Sequence, residues 1–279
     1  MSASFPLRVG VVHYLNAWPL AWGLWHPERL RAAGRAAGEV AAEDLSPAAL
    51  ADRLRAGTLD VGLLPTIELQ RIPGLSIVPG LGIAATEEVR SVLLVSHCAP
   101  REIGSVAVDE NSRTSVALLR LVLAERHGVS PRFFPAAPRV EEMLDAHDAA
   151  LVIGDPALHV DRARYRVTDL AAEWKALTGL PFVFAVWAVA PSCRHPRVAD
   201  LLTASYESGR ADLERIVVEA SDASGLSAEV MRTYFTANLR YELGLSELAG
   251  IAEFHRRAAR HDLTPGLAEV PLWRPPSPA

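Results

Sequence analysis

The chain has two cysteines, Cys98 and Cys193, and they carry no metal-ligand spacing. A cysteine-based metal site is thereby excluded, and two free thiols in a reducing compartment are expected rather than a disulfide. No apolar run is long enough to span a bilayer, so membrane insertion is not expected. Positive charge is not in excess. The formal net charge is −5, which leaves no basic footprint for nucleic acid. An anionic ligand is still allowed, because a local Arg and helix N-termini can bind one. Met1 to Pro6 has no cationic region, apolar core or cleavage site, so a signal peptide is not expected and the cytoplasm is the expected location. Catalytic motifs are missing as well. There is no Gly-x-Ser-x-Gly, no P-loop and no Gly-x-Gly-x-x-Gly. The nine histidines form no His-x-x-x-His pair. Neither a metal nor a nucleotide cofactor is expected.

What is present is a folded α/β pattern. Half of the residues are hydrophobic and 22% are charged. A chain of 279 residues is long for one core and comfortable for two lobes. Short apolar runs predict strands at Leu7–Val12, Gly38–Ala42, Asp60–Leu64, Ser76–Val78, Val89–Val95, Val106–Val108, Pro131–Phe134, Ala149–Ile153 and Phe182–Ala190. Helical patterns fall between them. Ser46 to Ala56 opens on a Ser N-cap with Pro47 in the first turn, and Val116 to His127 is another. Three more are expected over Pro196–Ser221, Ser227–Leu243 and Ser246–His261, before an extended, Pro-rich tail. The two long apolar runs, Val89–Val95 and Phe182–Ala190, are read as crossings between lobes. Lobe I is then residues 1–96 and 188–279, and lobe II is 97–187. A ligand would lie in the cleft between them.

Ligands of α/β proteins gather at the carboxyl ends of strands. The first strand runs directly into His13-Tyr14-Leu15-Asn16, which places a phenol and an amide at that end. Asn111-Ser112-Arg113-Thr114-Ser115 is the sharpest local signal. It joins a strand to a helix, so N–H groups, hydroxyls and the positive helix end converge, and Arg113 could clamp a carboxylate. The bland alternative is an ordinary helix start with a solvated Arg. Thr66 either caps the helix after Pro65 or faces the cleft. Ser91 and Ser96 either face the cleft or satisfy nearby backbone. Asp155 either caps the helix that begins at Pro156, the better reading, or touches ligand. Trp174, Trp187 and Phe182 are read as core, and Glu141 and Glu142 as a solvated helix face. The residues alone imply a two-lobed protein with a cleft for a small anion.

Taken in order, Val11-Val12-His13-Tyr14-Leu15-Asn16-Ala17-Trp18-Pro19-Leu20, Asp60-Val61-Gly62-Leu63-Leu64-Pro65, Val89-Arg90-Ser91-Val92, Asp109 to Ser115 and Ile153-Gly154-Asp155-Pro156-Ala157-Leu158 resemble the chorismate dehydratase family of the futalosine route to menaquinone. The resemblance spans nearly the whole chain. It implies a type II periplasmic-binding-protein fold. It also implies conversion of the dianion chorismate to 3-[(1-carboxyvinyl)oxy]benzoate and water, without metal or organic cofactor. The family implies that the substrate's own enolpyruvyl carboxylate acts as base, which suits a cleft with no obvious His or Glu for that work. By the same resemblance Asn16 and Ser91 are the catalytic candidates. Asn16 would orient substrate or assist the leaving hydroxyl, and Ser91 would bond a carboxylate or that hydroxyl. Tyr14, Asn111, Ser112, Arg113, Thr114 and Ser115 are candidates for binding substrate, with Thr66 and Asp155 behind them. Two rivals stand. One is the 1,4-dihydroxy-6-naphthoate synthase of the same route, which shares the fold and for which His97 and His159 speak. The other is a non-catalytic protein that binds a small anion.

Overall fold

The computed structural model describes residues 6–32, 40–109 and 112–276. It has two sheets. The chain opens with β1 (Leu7–Val12), a 3-10 turn (Leu15–Ala17), α1 (Trp18–Trp25), α2 (Pro27–Ala32), β2 (Val40–Leu45), α3 (Pro47–Arg55) and β3 (Val61–Pro65). A second 3-10 turn (Thr66–Gln70) leads to β4 (Ser76–Ala85). The middle holds β5 (Val92–Ser96), β6 (Ser105–Asp109), α4 (Thr114–His127), β7 (Arg132–Ala136), α5 (Val140–Ala146), β8 (Ala149–Ile153), α6 (Asp155–Leu158), β9 (Arg166–Asp169) and α7 (Leu170–Thr178). The chain closes with β10 (Phe182–Val189), α8 (Val198–Ala211), α9 (Leu213–Ser224), α10 (Ala228–Thr233), a π-helical turn (Tyr234–Asn238), β11 (Arg240–Glu242) and α11 (Leu245–Arg260).

The six-stranded sheet has the order β11-β4-β10-β3-β1-β2, and the five-stranded sheet β7-β6-β8-β5-β9. β1 runs parallel to β2 and β3, whereas β10 runs antiparallel to β3 and β4. In the other sheet β6 is parallel to β7 and β8, and β5 is antiparallel to β8 and β9. β1, β3 and β10 are almost wholly buried, as continuous apolar runs must be when both faces of a sheet are covered. Gly10 and Gly62 face each other in the β1–β3 pair. A Cβ at Gly62 would stand 2.7 Å from Leu50 Cδ2, so glycine lets α3 lie flat on the sheet. Ser46 caps α3 by accepting from Ala49 N–H at 3.2 Å. The C-terminal helices return to the first sheet. Ser205 of α8 donates to the Leu20 carbonyl and accepts from Leu24 N–H, and a Cβ at Gly209 would collide with the Pro19 carbonyl.

Val89–Val95 and Phe182–Ala190, read as the crossings, stand where the chain changes sheet, at 86–91 and 179–181. β5 pairs wholly within the five-stranded sheet and β10 wholly within the six-stranded one. A buried apolar run looks alike in either sheet. Several expectations give way elsewhere. The strand at Ser76 continues to Ala85 through Pro79-Gly80. There β4 bulges, with Ile77 opposite Ala188 but Gly82 opposite Val186, and the bulge absorbs residues that read as a turn. Pro196–Ser221 divides at Asp212, whose carboxylate takes the Trp22 indole N–H at 3.0 Å and pairs with Arg29 at 2.7 Å. Ser227–Leu243 is helical only in part. Its end becomes the π turn and β11, which pairs with the edge of β4. Of the predicted strand Gly38–Ala42, residues 38 and 39 lie outside the described residues. Trp174, Trp187 and Phe182 are core, Cys98 and Cys193 are free, and the tail is extended, with Leu272 bridged to Ile77.

His255 on α11 ties the C-terminal segment to the second 3-10 turn. Its ring meets Gln70, whose amide oxygen accepts from Thr264 and from Gly266 N–H. Burial lowers the imidazole pKa to about 4, so the folded protein holds the neutral ring. Unfolded, the ring titrates near pH 6.5. This contribution is therefore complete above that pH and is lost as pH falls towards 4, with an amplitude on the order of 3 kcal/mol. Denaturant titrations at pH 7.5 and 4.5 are expected to show this loss, and His255→Gln is expected to reduce the difference between the two pH values.

Candidate active site

The carboxyl ends of β1 and β3 face the 86–91 passage and the start of α4 across a cavity open to solvent. Tyr14, Asn16, Ser91, Ser112, Arg113, Thr114 and Ser115 line it together, although they come from three distant stretches of chain. Leu63, Ile83, Val89 and Phe184 supply apolar walls. A flat, largely apolar ligand with polar edges fits such a lining.

Ser91 owes its position to Asp169. That carboxylate accepts from Val89 N–H at 3.2 Å and Arg90 N–H at 2.8 Å, and it also caps α7 through Ala171 and Ala172. Burial pushes the Asp169 carboxyl above the usual carboxylate range, against these four bonds. Gly154 N–H donates to the Ser91 carbonyl at 2.8 Å. Arg90 is held at φ 63°, an unfavourable left-handed conformation for a non-glycine residue. The passage is thus fixed on both sides, and Ser91 is fully buried.

The turn after β1 is held from the opposite sheet. Asp155 Oδ1 accepts from Leu15 N–H at 3.1 Å. The sequence offered Asp155 as a cap for its own helix or as a ligand contact. Instead it bonds the 3-10 turn that carries Asn16, it does not line the cavity, and α6 begins at Asp155 itself, uncapped by Gly154. Burial raises the Asp155 carboxyl. Gly154 has φ +66°, and a Cβ there would stand 2.7 Å from Tyr14 Cδ1. Burial, with Asp109 and Asp155 nearby, pushes the Tyr14 phenol up to about 12, so it stays protonated as a donor.

At the start of α4 the N-cap position is Arg113, whose side chain makes no cap. The first-turn N–H groups and the positive helix end therefore face the cavity without that partner. Thr114 Oγ1 accepts from Ile67 N–H at 3.1 Å. Arg113 reaches Glu68 Oε1 at 3.2 Å, and Arg71 reaches the same oxygen at 3.0 Å. Arg113 is thus neither solvated nor wholly uncommitted. Glu68 is fully buried; nothing in its spacing marked it. Thr66 is buried too, but it does not line the cavity, and its turn is 3-10 with no side-chain cap. Asn111 lies outside the described residues. Ser96 donates to the Cys98 carbonyl, away from the cavity.

Among the buried polar atoms without a hydrogen-bond partner, Asn16 Oδ1, Ser91 Oγ and Ser112 Oγ belong to residues that line the cavity. Such atoms are costly in a folded protein. A polar ligand in the cavity would supply their missing bonds. Among the described residues no group of three His, Cys, Asp or Glu is placed to hold a metal ion. His97 and His159 are exposed and do not line the cavity. Gly154→Ala is expected to lower stability by roughly 2 kcal/mol, from the positive φ and the contact with Tyr14. Thermal melts of the variant and wild type check this.

A family model described as menaquinone biosynthesis matches residues 7–260. A chorismate dehydratase from Thermus thermophilus is 31% identical, over 75% of this chain and 83% of that protein. A crystal structure from Archaeoglobus fulgidus superposes with a TM-score of 0.74 at 15% identity, covering 94% of this chain and 99% of that one. The periplasmic aliphatic sulphonate binding protein SsuA from Escherichia coli gives a TM-score of 0.67 at 17% identity, covering 99% and 94%. These two establish the periplasmic-binding-protein-like fold.

Proposed function

The chain belongs to the menaquinone biosynthesis family, and on that premise we propose that its cavity dehydrates chorismate. The observation that supports this best is the set of uncommitted buried groups, Asn16 Oδ1, Ser91 Oγ and Ser112 Oγ, around an apolar cavity at a helix N-terminus. Chorismate is a ring with two carboxylates and a hydroxyl, and it matches that lining in shape and in polar content. The reaction is that of a hydro-lyase. A ring proton leaves beside the enolpyruvyl ether, the neighbouring hydroxyl leaves with it as water, and the ring becomes the aromatic 3-[(1-carboxyvinyl)oxy]benzoate.

In this reading Ser112, Ser115 and the first-turn N–H groups of α4 bind a carboxylate. Arg113 adds charge from its place beside Glu68. Thr114 ties the helix start to Ile67 and so positions these donors. Charge builds on the ring carboxylate as the proton leaves, and preorganised donors there lower the barrier. Asn16 assists the departing hydroxyl, Ser91 bonds it or a carboxylate, and Tyr14 donates from the rim. With no His among the described residues that line the cavity, the substrate's enolpyruvyl carboxylate serves as base. The same observation speaks against the naphthoate synthase reading, for which His97 and His159 were the candidates. We place the reaction in the cytoplasm, in keeping with a biosynthetic family and two free thiols.

Purified protein incubated with chorismate, without added metal or nucleotide, is expected to yield a product lighter by one water, followed by chromatography and mass. Tight binding with unchanged chorismate would instead favour a carrier. Asn16→Ala is expected to cut kcat roughly a hundredfold while binding holds within about threefold. Ser112→Ala is expected to weaken binding by roughly tenfold, the worth of one hydrogen bond to a charged group. Steady-state kinetics and calorimetric titration separate the two effects.

A further inference from the structure

Behind the cavity lies a residue that the spacing of the sequence disguises as core. Tyr234 opens the π-helical turn Tyr234–Asn238, between α10 and β11. Such single turns often mark functional positions. Its side chain is buried, with 1% exposure. Its hydroxyl approaches the side chains of Ser91 and Asn16, which act on the phenol against the effect of burial. None of the three polar atoms, Asn16 Oδ1, Ser91 Oγ and Tyr234 OH, completes a hydrogen bond of good geometry. A buried tyrosine that serves packing alone normally finds a partner for its hydroxyl. Here three orphans stand side by side, one each from the turn after β1, the passage 86–91 and the C-terminal region.

We propose that Tyr234 is a positioning residue for the dehydration, orienting the Asn16 amide and the Ser91 hydroxyl towards the substrate's hydroxyl from behind the cavity wall. This rests on the reading of the cavity as a chorismate dehydratase site. The phenol has one proton and two neighbours. Donating to one and accepting from the other fixes both, and turns their remaining polar atoms to the ligand. Burial and the nearby Asp155 raise the phenol's pKa, so the proton stays in place. The arrangement is complete only when a ligand or water supplies the bonds now missing, so its value lies in turnover rather than in folding.

Removing the phenol spares its desolvation but leaves the Asn16 and Ser91 side chains without it, so the two effects on stability oppose each other. Tyr234→Phe is expected to leave the melting temperature within about 3 °C while kcat falls roughly tenfold or more and KM changes less than about threefold. In an Asn16→Ala or Ser91→Ala background the same change is expected to cost much less, because the group it acts through is gone. Tyr206 is the control, because its hydroxyl is committed to Glu242 at 3.3 Å. Tyr206→Phe is expected to leave kcat within about twofold.

Wild-type protein is assayed first. If it fails to dehydrate chorismate, the reading of the site fails and this role goes with it. If wild type turns over and Tyr234→Phe matches it, the positioning role alone is overturned. A lower melting temperature with kcat per folded molecule preserved makes the phenol structural and also overturns it. So does full additivity with both Asn16→Ala and Ser91→Ala.

Discussion

Hydrogen bonds that run from one sheet to the other hold the cavity together. Leu15 N–H meets Asp155, Ile67 N–H meets Thr114, and Arg113 meets Glu68. In each pair one partner follows a strand of the six-stranded sheet and the other follows a strand of the five-stranded sheet. Neither sheet carries the site alone. The Asn16 turn comes from one side, the α4 start from the other, and Ser91 from the passage between them. Each bond is worth only about 1 kcal/mol net, or up to about 3 where a charged group takes part. Such a set fixes the geometry of the site through many modest bonds.

Asp169 plays the complementary part inside the five-stranded sheet. A buried carboxylate that accepts four backbone N–H groups stiffens the 86–91 passage and sustains the left-handed Arg90. Strain of this kind persists where surrounding bonds over-determine the backbone. The result is a buried Ser91 whose hydroxyl is not consumed by the structure that positions it. Asp169 and Glu68 each commit a buried carboxylate, and Asp155 a half-buried one, to organising the site. The atoms that face the cavity remain unsatisfied, and folding energy is set aside for binding in that way.

The same fold serves the sulphonate-binding protein and this chain, so the two-lobed frame does not by itself distinguish a carrier from an enzyme. What distinguishes them is local. Here an amide, two serines and a helix start converge on a mostly apolar cavity, and a buried phenol stands behind two of them.

Much of this was legible in the chain. The strands at Leu7–Val12 and Ala149–Ile153, the cap at Ser46 and the helix after Ser112 follow from apolar periodicity and capping chemistry, which are local. The motifs carrying Tyr14, Asn16, Ser91 and Ser112 to Ser115 were legible through their order and their resemblance to a family. Assignment of Val92–Ser96 to the second sheet was not, because burial on both faces erases the alternation that would reveal a strand's partner. Nor was the part of Asp155, whose bond to Leu15 spans 140 residues. Glu68 and Tyr234 carried no signal, since a carboxylate in a turn and a tyrosine in a helical pattern look ordinary until the fold buries them beside Arg113 and Ser91. Composition and local pattern determined which segments are strands and helices and which junctions bear donors. Tertiary structure decided which junctions meet and which polar atoms are left without partners, because both depend on contacts between residues far apart in the chain.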